Sequence, residues 1–421
     1  MEIKRDRYLE KLMLRRWNGL VKIITGIRRC GKSYLLFNLF KDAVIADGVN
    51  PDDIIEVKLD EAESIPLRNP LSLYNHIKGL TSDGKRRFVF IDEIQMAIRP
   101  RRSDDETTFY DVLNSLLNTG YLDVYITGSN SHMLSSDILT QFRGRGDEIR
   151  IHPLSFSEFY AAKGGDRSSA YNEYLMYGGM PRILSMKTDG DKAEYLRGLV
   201  KETYIKDIEE RHRIDHPEAL EGIVDLLCSS VGSLTNPKAI SSNFEGVSEG
   251  TARKYLDYVL DAFMFSEAKR YDVKGKHYFT FPQKYYCEDV GLRNARLNFR
   301  QFEKTHLMEN VIYNELRIRG FSVDVGVVTI NSKDEEGKSI RTYKEIDFVA
   351  NRMDNRLYIQ SAFAIPDEEK LLSETGQLKR VGDSFRKIVV RGDTWKRWHD
   401  DDGILHIDVI DFLLDESVTL N

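Results

Sequence analysis

The sequence predicts an α/β protein, with a parallel sheet flanked by helices in its N-terminal part and smaller helical and α/β segments behind it. Three observations carry that expectation. A glycine-containing loop, GIRRCGKS (26–33), lies between a short β-rich run, VKIIT, and a helix-forming run, Lys32–Lys41. Further along, the apolar run FVFI ends in the acidic pair Asp92–Glu93. Finally, 421 residues with 41% hydrophobic and 30% charged side chains exceed one ordinary domain and suffice for several cores.

Val21–Thr25 is short and β-rich, as a buried parallel strand would be. Gly26–Ser33 then reads G-x-x-x-x-G-K-S, the phosphate-binding loop pattern. Gly26 and Gly31 permit turns that a Cβ would block, and these turns aim several N–H groups at one point. The N-terminus of the following helix adds partial positive charge there. Lys32 can reach the β and γ phosphates, and the Ser33 hydroxyl can ligate Mg²⁺. The expected nucleotide contacts are Gly26, Ile27, Arg28, Arg29, Cys30, Gly31, Lys32, Ser33 and Tyr34, with ATP as the ligand. Arg28 and Arg29 have two readings, a solvated turn or a contact to phosphate or a neighbouring subunit.

Phe88–Ile91 reads as a central strand, and Asp92 and Glu93 emerge at its C-terminal end, where open α/β sheets bind ligands. Asp92 is expected to hold Mg²⁺, and Glu93 is the candidate base that polarises the attacking water. LDVYITGSN is the next strand; its tip, Thr127 to Asn130, offers polar groups that can sense the γ-phosphate or the water. EIRIHPL follows. Before it, Arg143 and Arg145 sit in a loop with two glycines. They are either a solvated turn or a source of transition-state charge, in cis or from a neighbouring subunit.

GIRRCGKS, FVFIDE, VYITGSNS, FRGRGDEIRIHPLSFSEF and YGGMP, in this order, resemble a group of prokaryotic AAA+-type ATPases. Their C-terminal region is a domain of unknown function related to restriction-endonuclease folds. The resemblance implies a five-strand parallel sheet made of VKIIT, IIEVKL, FVFID, VYITGS and EIRIH. It also implies that Ser129 or Asn130 is the sensor and that Arg145 is the arginine finger. Gln141 departs from the pattern, since relatives often carry an arginine there.

Ser155–Tyr204 has the periodicity of short helices and is expected to lid the nucleotide. His212 and His216 share i, i+4 spacing, but no third ligand is near and Pro217 interrupts, so solvated histidines are expected rather than a metal pair. Residues 220–285 read as a winged helix. NPKAISSNF gives a short helix. A second helix puts Ala252, Tyr255, Leu256, Val259, Leu260 and Phe263 on one face, and FSEAKRYD and HYFTFP flank the VKGK turn as a wing. Arg253, Lys254, Lys274 and Lys276 are the candidate DNA contacts; docking on protein is the other reading, because Asp257 and Asp261 share the helix. The basic segment IRPRRS (98–103) is either a second patch or a loop.

HLMENVIYNELRIRG is expected to be an amphipathic helix carrying Glu309, and RTYKEIDFVANRMDNRLYIQSAF a hairpin. The nuclease fold it resembles uses an Asp at one strand end and E-x-K on the next. Asp347 matches the first; the second reads Gln360, Ser361, Ala362. A neutral amide is a poorer Mg²⁺ ligand than a carboxylate, and Ala362 lacks the ammonium. Nuclease chemistry is therefore expected to be lost. KIVVRG and ILHIDVIDFLL supply a further strand and helix.

The expected domains are an ATPase core (1–160), a helical lid (161–210), a winged helix (211–300) and an inactive endonuclease-like α/β domain (301–421). Net charge is −6 and the pI about 5.9, which excludes a global basic field pulling the chain onto nucleic acid. No run reaches membrane-span length, and the charged start MEIKRDRYLEKL lacks a secretion-signal core. Cys30, Cys228 and Cys287 are widely spaced and fit the cytoplasm. The expected function is an ATP-hydrolysing switch or motor; action on DNA through the winged helix and a homo-oligomeric form are open readings beside it. A nucleotide-dependent scaffold with slow hydrolysis is the alternative, and an ATP-driven nuclease a third reading.

Overall fold

The structure, a computed structural model, describes residues 3–97, 108–129, 144–333, 339–394 and 396–420. It divides into two compact units. One is built on residues up to Pro153 together with Asp261–Phe263, the other on Leu154–Leu260 and Met264 onward.

The first unit is organised by five strands: β1 (Val21–Thr25), β2 (Ile54–Lys58), β3 (Arg87–Asp92), β4 (Leu122–Thr127) and β5 (Gly146–Arg150). Their order is β2-β3-β4-β1-β5, and every neighbouring pair is parallel. The expected five-strand sheet is present with these strands. Its near-continuous apolar runs follow from burial on both faces. Strand alternation sorts the two faces by chemistry. Val21, Ile23, Val89, Ile91, Val124 and Ile126 pack with Leu73 and Ile77 of the helix Pro70–Leu80 and with Leu113 and Leu116 of the helix Phe109–Leu117. The opposite face is aromatic, with Phe88, Phe90 and Tyr125 meeting Phe37, Phe40 and Trp17 edge-on or tilted. Lys22 lies on that face, fully buried. Its ammonium pairs with Asp123 and sits over the Tyr125 ring, and the Tyr125 hydroxyl donates to Asp123. A lysine inside a core needs such a partner, because burial favours its neutral form. Burial accordingly lowers the Lys22 pKa, with Asp123 opposing that shift.

The second unit begins with the helices Phe156–Lys163 and Arg167–Tyr177, and later Asp189–Gly198. The YGGMP stretch is a tight joint between them. Leu154 N–H donates to Gly179 O at 2.8 Å, and a Cβ on Gly179 would stand 2.2 Å from Leu154 O, so only glycine fits. The Gly179 N–H donates to the buried Asp289 carboxylate at 2.6 Å. Burial pushes the Asp289 pKa up to about 6.

Next comes the order helix Pro217–Ser229, β6 (Leu234–Thr235), helix Pro237–Ser241, helix Glu249–Asp261, β7 (Phe265–Ala268), β8 (Arg270–Asp272), β9 (His277–Tyr278) and β10 (Gln283–Cys287). Ala252, Tyr255, Leu256 and Val259 are buried on one face of the third helix, as its spacing predicts. The wing differs from expectation. FSEAKRYD splits between two sheets: β7 joins the antiparallel sheet β6-β10-β7, while β8 and β9 turn away around VKGK. They extend a second sheet, where β8 runs parallel to β11 (Ser322–Lys333). The third strand of the small sheet is QKYYC rather than HYFTFP. Sequence spacing finds the hairpin but not its partner, because the β8–β11 pairing is non-local.

That second sheet has eight strands in the order β15-β16-β14-β13-β12-β11-β8-β9, adding β12 (Ser339–Arg352), β13 (Asn355–Ala362), β14 (Arg386–Arg391), β15 (Trp398–His399) and β16 (Leu405–Asp408). The expected β12–β13 hairpin is antiparallel and turns at Met353–Asp354. The helix Lys304–Ile318 is buried almost all round instead of on one face. It packs on β10, β11 and β13 and also on the helices Arg167–Tyr177 and Val409–Leu414, which leaves little of it for solvent.

Candidate functional site

Three loop ends converge at the C-terminal edge of the first sheet. β1 runs into the glycine loop, β3 ends at Asp92, and β4 ends at Thr127 beside β1 and β3. Gly26 (φ +143°) is fixed there by close approach, since a Cβ would lie 2.1 Å from Ile151 O. Gly31 (φ +101°) precedes the helix that starts at Lys32 and continues through a wider π-type stretch, Leu35–Phe40, to Ala46. Ile27 and Cys30 are buried and anchor the loop from below, whereas Arg29 and Tyr34 are exposed. Lys32 is buried, and its ammonium donates to the loop's own carbonyls, Gly26 O at 3.0 Å and Ile27 O at 3.1 Å.

The acidic side of the site is a hydrogen-bonded chain. The Ser33 hydroxyl donates to Asp92 Oδ1 at 3.0 Å. The Thr127 hydroxyl donates to the same oxygen and accepts from the Glu93 N–H at 3.1 Å. Glu93 has φ +50°, a left-handed conformation that non-glycine residues rarely adopt and that concentrates at functional sites. The Gln95 amide N–H donates to Glu93 Oε2 and, at 3.3 Å, to the Ser129 hydroxyl. Ser33, Asp92, Glu93 and Ser129 are therefore linked through Thr127 and Gln95, with Lys32 next to Ser33 in the loop. Gln95 and the bridging role of Thr127 were not anticipated, although DEIQ placed Gln95 two residues past the candidate base.

Other expected residues fall elsewhere. Asn130, Arg143, Gln141 and the segment 98–103 lie outside the described residues. Arg145 precedes β5, where Val21 N–H bonds to its carbonyl, at the opposite edge of the sheet from the glycine loop. A five-residue strand spans about 16 Å, so supply of Arg145 charge to its own site is corrected. The exposed side chain instead rests 3.4 Å from Asn114 and Asn118. His212 stacks on Tyr258 with centroids 3.6 Å apart, and His216 precedes the helix that Pro217 opens. Among the described residues no three His, Cys, Asp or Glu side chains are grouped to hold a metal. Arg253, Lys254, Lys274 and Lys276 are all exposed, the last two on the β8–β9 turn.

Asp347 and Gln360, compared above with a nuclease pair, also lie together, with an addition. Asp347 faces Gln360 across β12 and β13. Its carboxylate accepts from Ser361 N–H at 2.8 Å, and its own N–H donates to Gln360 Oε1 at 3.4 Å. The ammonium that Ala362 lacks enters from β10: Lys284 Nζ lies 3.1 Å from Glu309 Oε1 and 3.9 Å from both Asp347 and Glu345. The Tyr286 hydroxyl donates to the same Glu309 oxygen at 2.7 Å. Burial works against the Lys284 charge, but Glu309, Asp347 and Glu345 outweigh it and raise its pKa. Burial and then Glu309 push Asp347 up to about 7, against the pull of Lys284.

The glycine loop, the Ser33–Asp92 pair and the β-strand order define a P-loop NTPase domain of the AAA class. Residues 18–160 match the AAA domain family, and residues 168–303 match a domain of unknown function, DUF8612. An uncharacterized protein of Haemophilus influenzae is 32% identical over 422 residues, covering 98% of each chain. The chain belongs to the same family as that protein. An uncharacterized protein of Methanocaldococcus jannaschii is 28% identical over 75% of this chain and 70% of its own. Among solved structures, a Walker-type ATPase of Pyrococcus abyssi aligns with 70% of this chain and 96% of its own, at 14% identity and TM-score 0.49. The Aeropyrum pernix ORC1 protein in complex with DNA aligns with 71% and 93%, at 12% identity and TM-score 0.29. No described helix is long and apolar enough to cross a membrane.

Proposed function

We propose that the protein is an ATP-hydrolysing switch or motor of the AAA+ type, working in the cytoplasm. The chain Ser33–Asp92–Thr127–Glu93 carries this reading, because it sets a hydroxyl and a carboxylate 3.0 Å apart beside a second acid on a strained backbone. Hard oxygen donors of this kind suit Mg²⁺, which typically takes one or two protein carboxylates and completes its shell with phosphate and water. Ser33 and Asp92 would hold the ion; bound there it neutralises phosphate charge. Lys32 would exchange its loop carbonyls for phosphate oxygens, Glu93 takes the proton of the attacking water, and Ser129 or Asn130 senses the γ-phosphate. Arg145 acts only across an interface, in a homo-oligomer.

The C-terminal α/β region is proposed to be nuclease-like in fold and inactive in cleavage. Gln360 stands where a ligating carboxylate is needed, and Lys284 is committed to Glu309. DNA contact through Arg253, Lys254, Lys274 and Lys276 belongs to the same proposal, supported by their exposure and charge. The test is Glu93→Gln. It should bind a fluorescent ATP analogue with Mg²⁺ as wild type does and lose turnover. A wild type that binds ATP without hydrolysing it would instead leave a nucleotide-dependent scaffold.

A further inference from the structure

Gln95 is the site's least explained polar side chain. It sits in the short turn Ile94–Met96 directly after Glu93, and the turn closes through Met96 N–H to Glu93 O at 2.9 Å. That tight turn brings the Gln95 side chain back over the residue two positions earlier. Its Nε2 donates both to the Glu93 carboxylate and to the Ser129 hydroxyl, bridging the ends of β3 and β4. This fixes the amide's orientation, because the reverse assignment would set Oε1 against the Glu93 carboxylate. Oε1 is then left buried with no hydrogen-bond partner, one of few such atoms among the described residues. Buried acceptors are normally satisfied.

We propose that Gln95 is a positioning residue for the hydrolytic water, holding Glu93 in place through its N–H and, once nucleotide binding opens the site, accepting one water hydrogen at Oε1. The inference rests on the ATPase reading above. A water that donates one hydrogen to Glu93 and the other to Gln95 Oε1 keeps its lone pairs free of both acceptors and available for attack. In the step this serves, the water oxygen forms a bond to that phosphorus. The bond to the β–γ bridging oxygen breaks, its electron pair leaves with ADP, and the water proton passes to Glu93. The products are ADP and inorganic phosphate. The same amide ties the base to Ser129, so an arrangement that senses the γ-phosphate at β4 also sets the angle of the base on β3.

The test compares wild type, Glu93→Gln, Gln95→Ala and Gln95→Glu in the full chain, by steady-state ATP turnover and by titration with a fluorescent ATP analogue and Mg²⁺. Gln95→Ala should lower kcat about 10²-fold, the scale of a misplaced reacting group, with KM and analogue affinity within about twofold of wild type. Gln95→Glu keeps an acceptor but sets a second carboxylate against Glu93. It should retain more turnover than the alanine variant, with analogue affinity again within about twofold of wild type. A purely structural role would not split kcat from KM in this way. Wild-type kcat in Gln95→Ala, or kcat and nucleotide affinity lost together, overturns the assignment while leaving the ATPase reading standing if Glu93→Gln is inactive. A wild-type chain that binds the analogue and shows no turnover overturns both.

Discussion

Replacing Lys284 with methionine removes the cation that Glu309 and Asp347 share, while Glu345 keeps the Arg270 guanidinium at 3.3 Å. The lysine and Glu309 side chains are only 8% and 11% exposed, so the stranded carboxylate cannot recover its hydration. Breaking a buried pair from one side costs about 3–5 kcal/mol. Partial exposure of Glu345, at 29%, screens some of the field, and a loss near the lower end, about 3 kcal/mol, is expected. The assay is hydrogen exchange of the full chain, read at β10 and at the helix Lys304–Ile318, whose Asn310 side chain clasps both the N–H and the carbonyl of Cys287. Local exchange avoids treating a two-unit protein as a single two-state transition. Lys284→Met with Glu309→Gln should restore most of the loss.

The sign of the pH effect is fixed by Asp347. Its folded pKa, about 7, lies above its ordinary value of 3.8, so the folded state binds more protons between those two values. Its contribution is therefore fully present at low pH and is lost as pH rises through about 7. Lys284 pulls that pKa down; without it the falling window extends further up, and the Lys284→Met penalty should be larger at about pH 8 than at about pH 5. A penalty under about 1 kcal/mol, or one that shrinks with rising pH, would refute the argument that Lys284 neutralises this centre.

Gly26→Ala forces a Cβ to 2.1 Å from Ile151 O at a φ of +143°, and should cost about 3 kcal/mol and abolish nucleotide binding, read by thermal unfolding and analogue titration. Mixing inactive Glu93→Gln protein with inactive Arg145→Ala protein should restore turnover, because Arg145 lies at the far edge of its own sheet; no recovery in the mixture, with only monomer present under ATP, would remove the finger role. Arg253→Ala with Lys254→Ala should weaken duplex DNA binding and flatten the log K against log salt slope by about 2, and an unchanged slope would point to a protein partner.

What could be read from the sequence was whatever local spacing controls. The glycine loop and the acid pair after FVFI are short-range patterns and reappear at the stated residues, whereas the five-strand parallel sheet, also present, was implied by the family resemblance. The buried face of the helix Glu249–Asp261 followed from 3.6-residue spacing in the same way. The failures are all non-local. FSEAKRYD looks like one strand because nothing in it announces that the chain changes sheets at Lys269, where Val325 N–H bonds to its carbonyl. HLMENVIYNELRIRG looks amphipathic because Glu309, Asn310 and Glu315 are polar, yet all three are buried with hydrogen-bond partners: Tyr286 and Lys284, the Cys287 backbone, and Arg319. Lys284 carried no signal, since a lysine in QKYYC is ordinary until the fold sets it beside Glu309.

These non-local contacts limit what the proposed nucleotide cycle could move. A separate winged helix and a separate nuclease-like domain would allow each to swing on its own linker. Here β8 and β9 belong to the large sheet while β7 and β10, on either side of them in the chain, belong to the small one. Lys284 ties β10 to Glu309, and Asn310 and Asn314 bind the backbone of Cys287 and Glu288. Separating the two sheets would expose charged side chains that are now paired and strip backbone bonds with no ready replacement, costs beyond what a modest allosteric coupling supplies. The exposed Arg253 and Lys254 and the turn lysines 274 and 276 are therefore carried by one interlocked body, and an ATP-driven change would present them together or not at all.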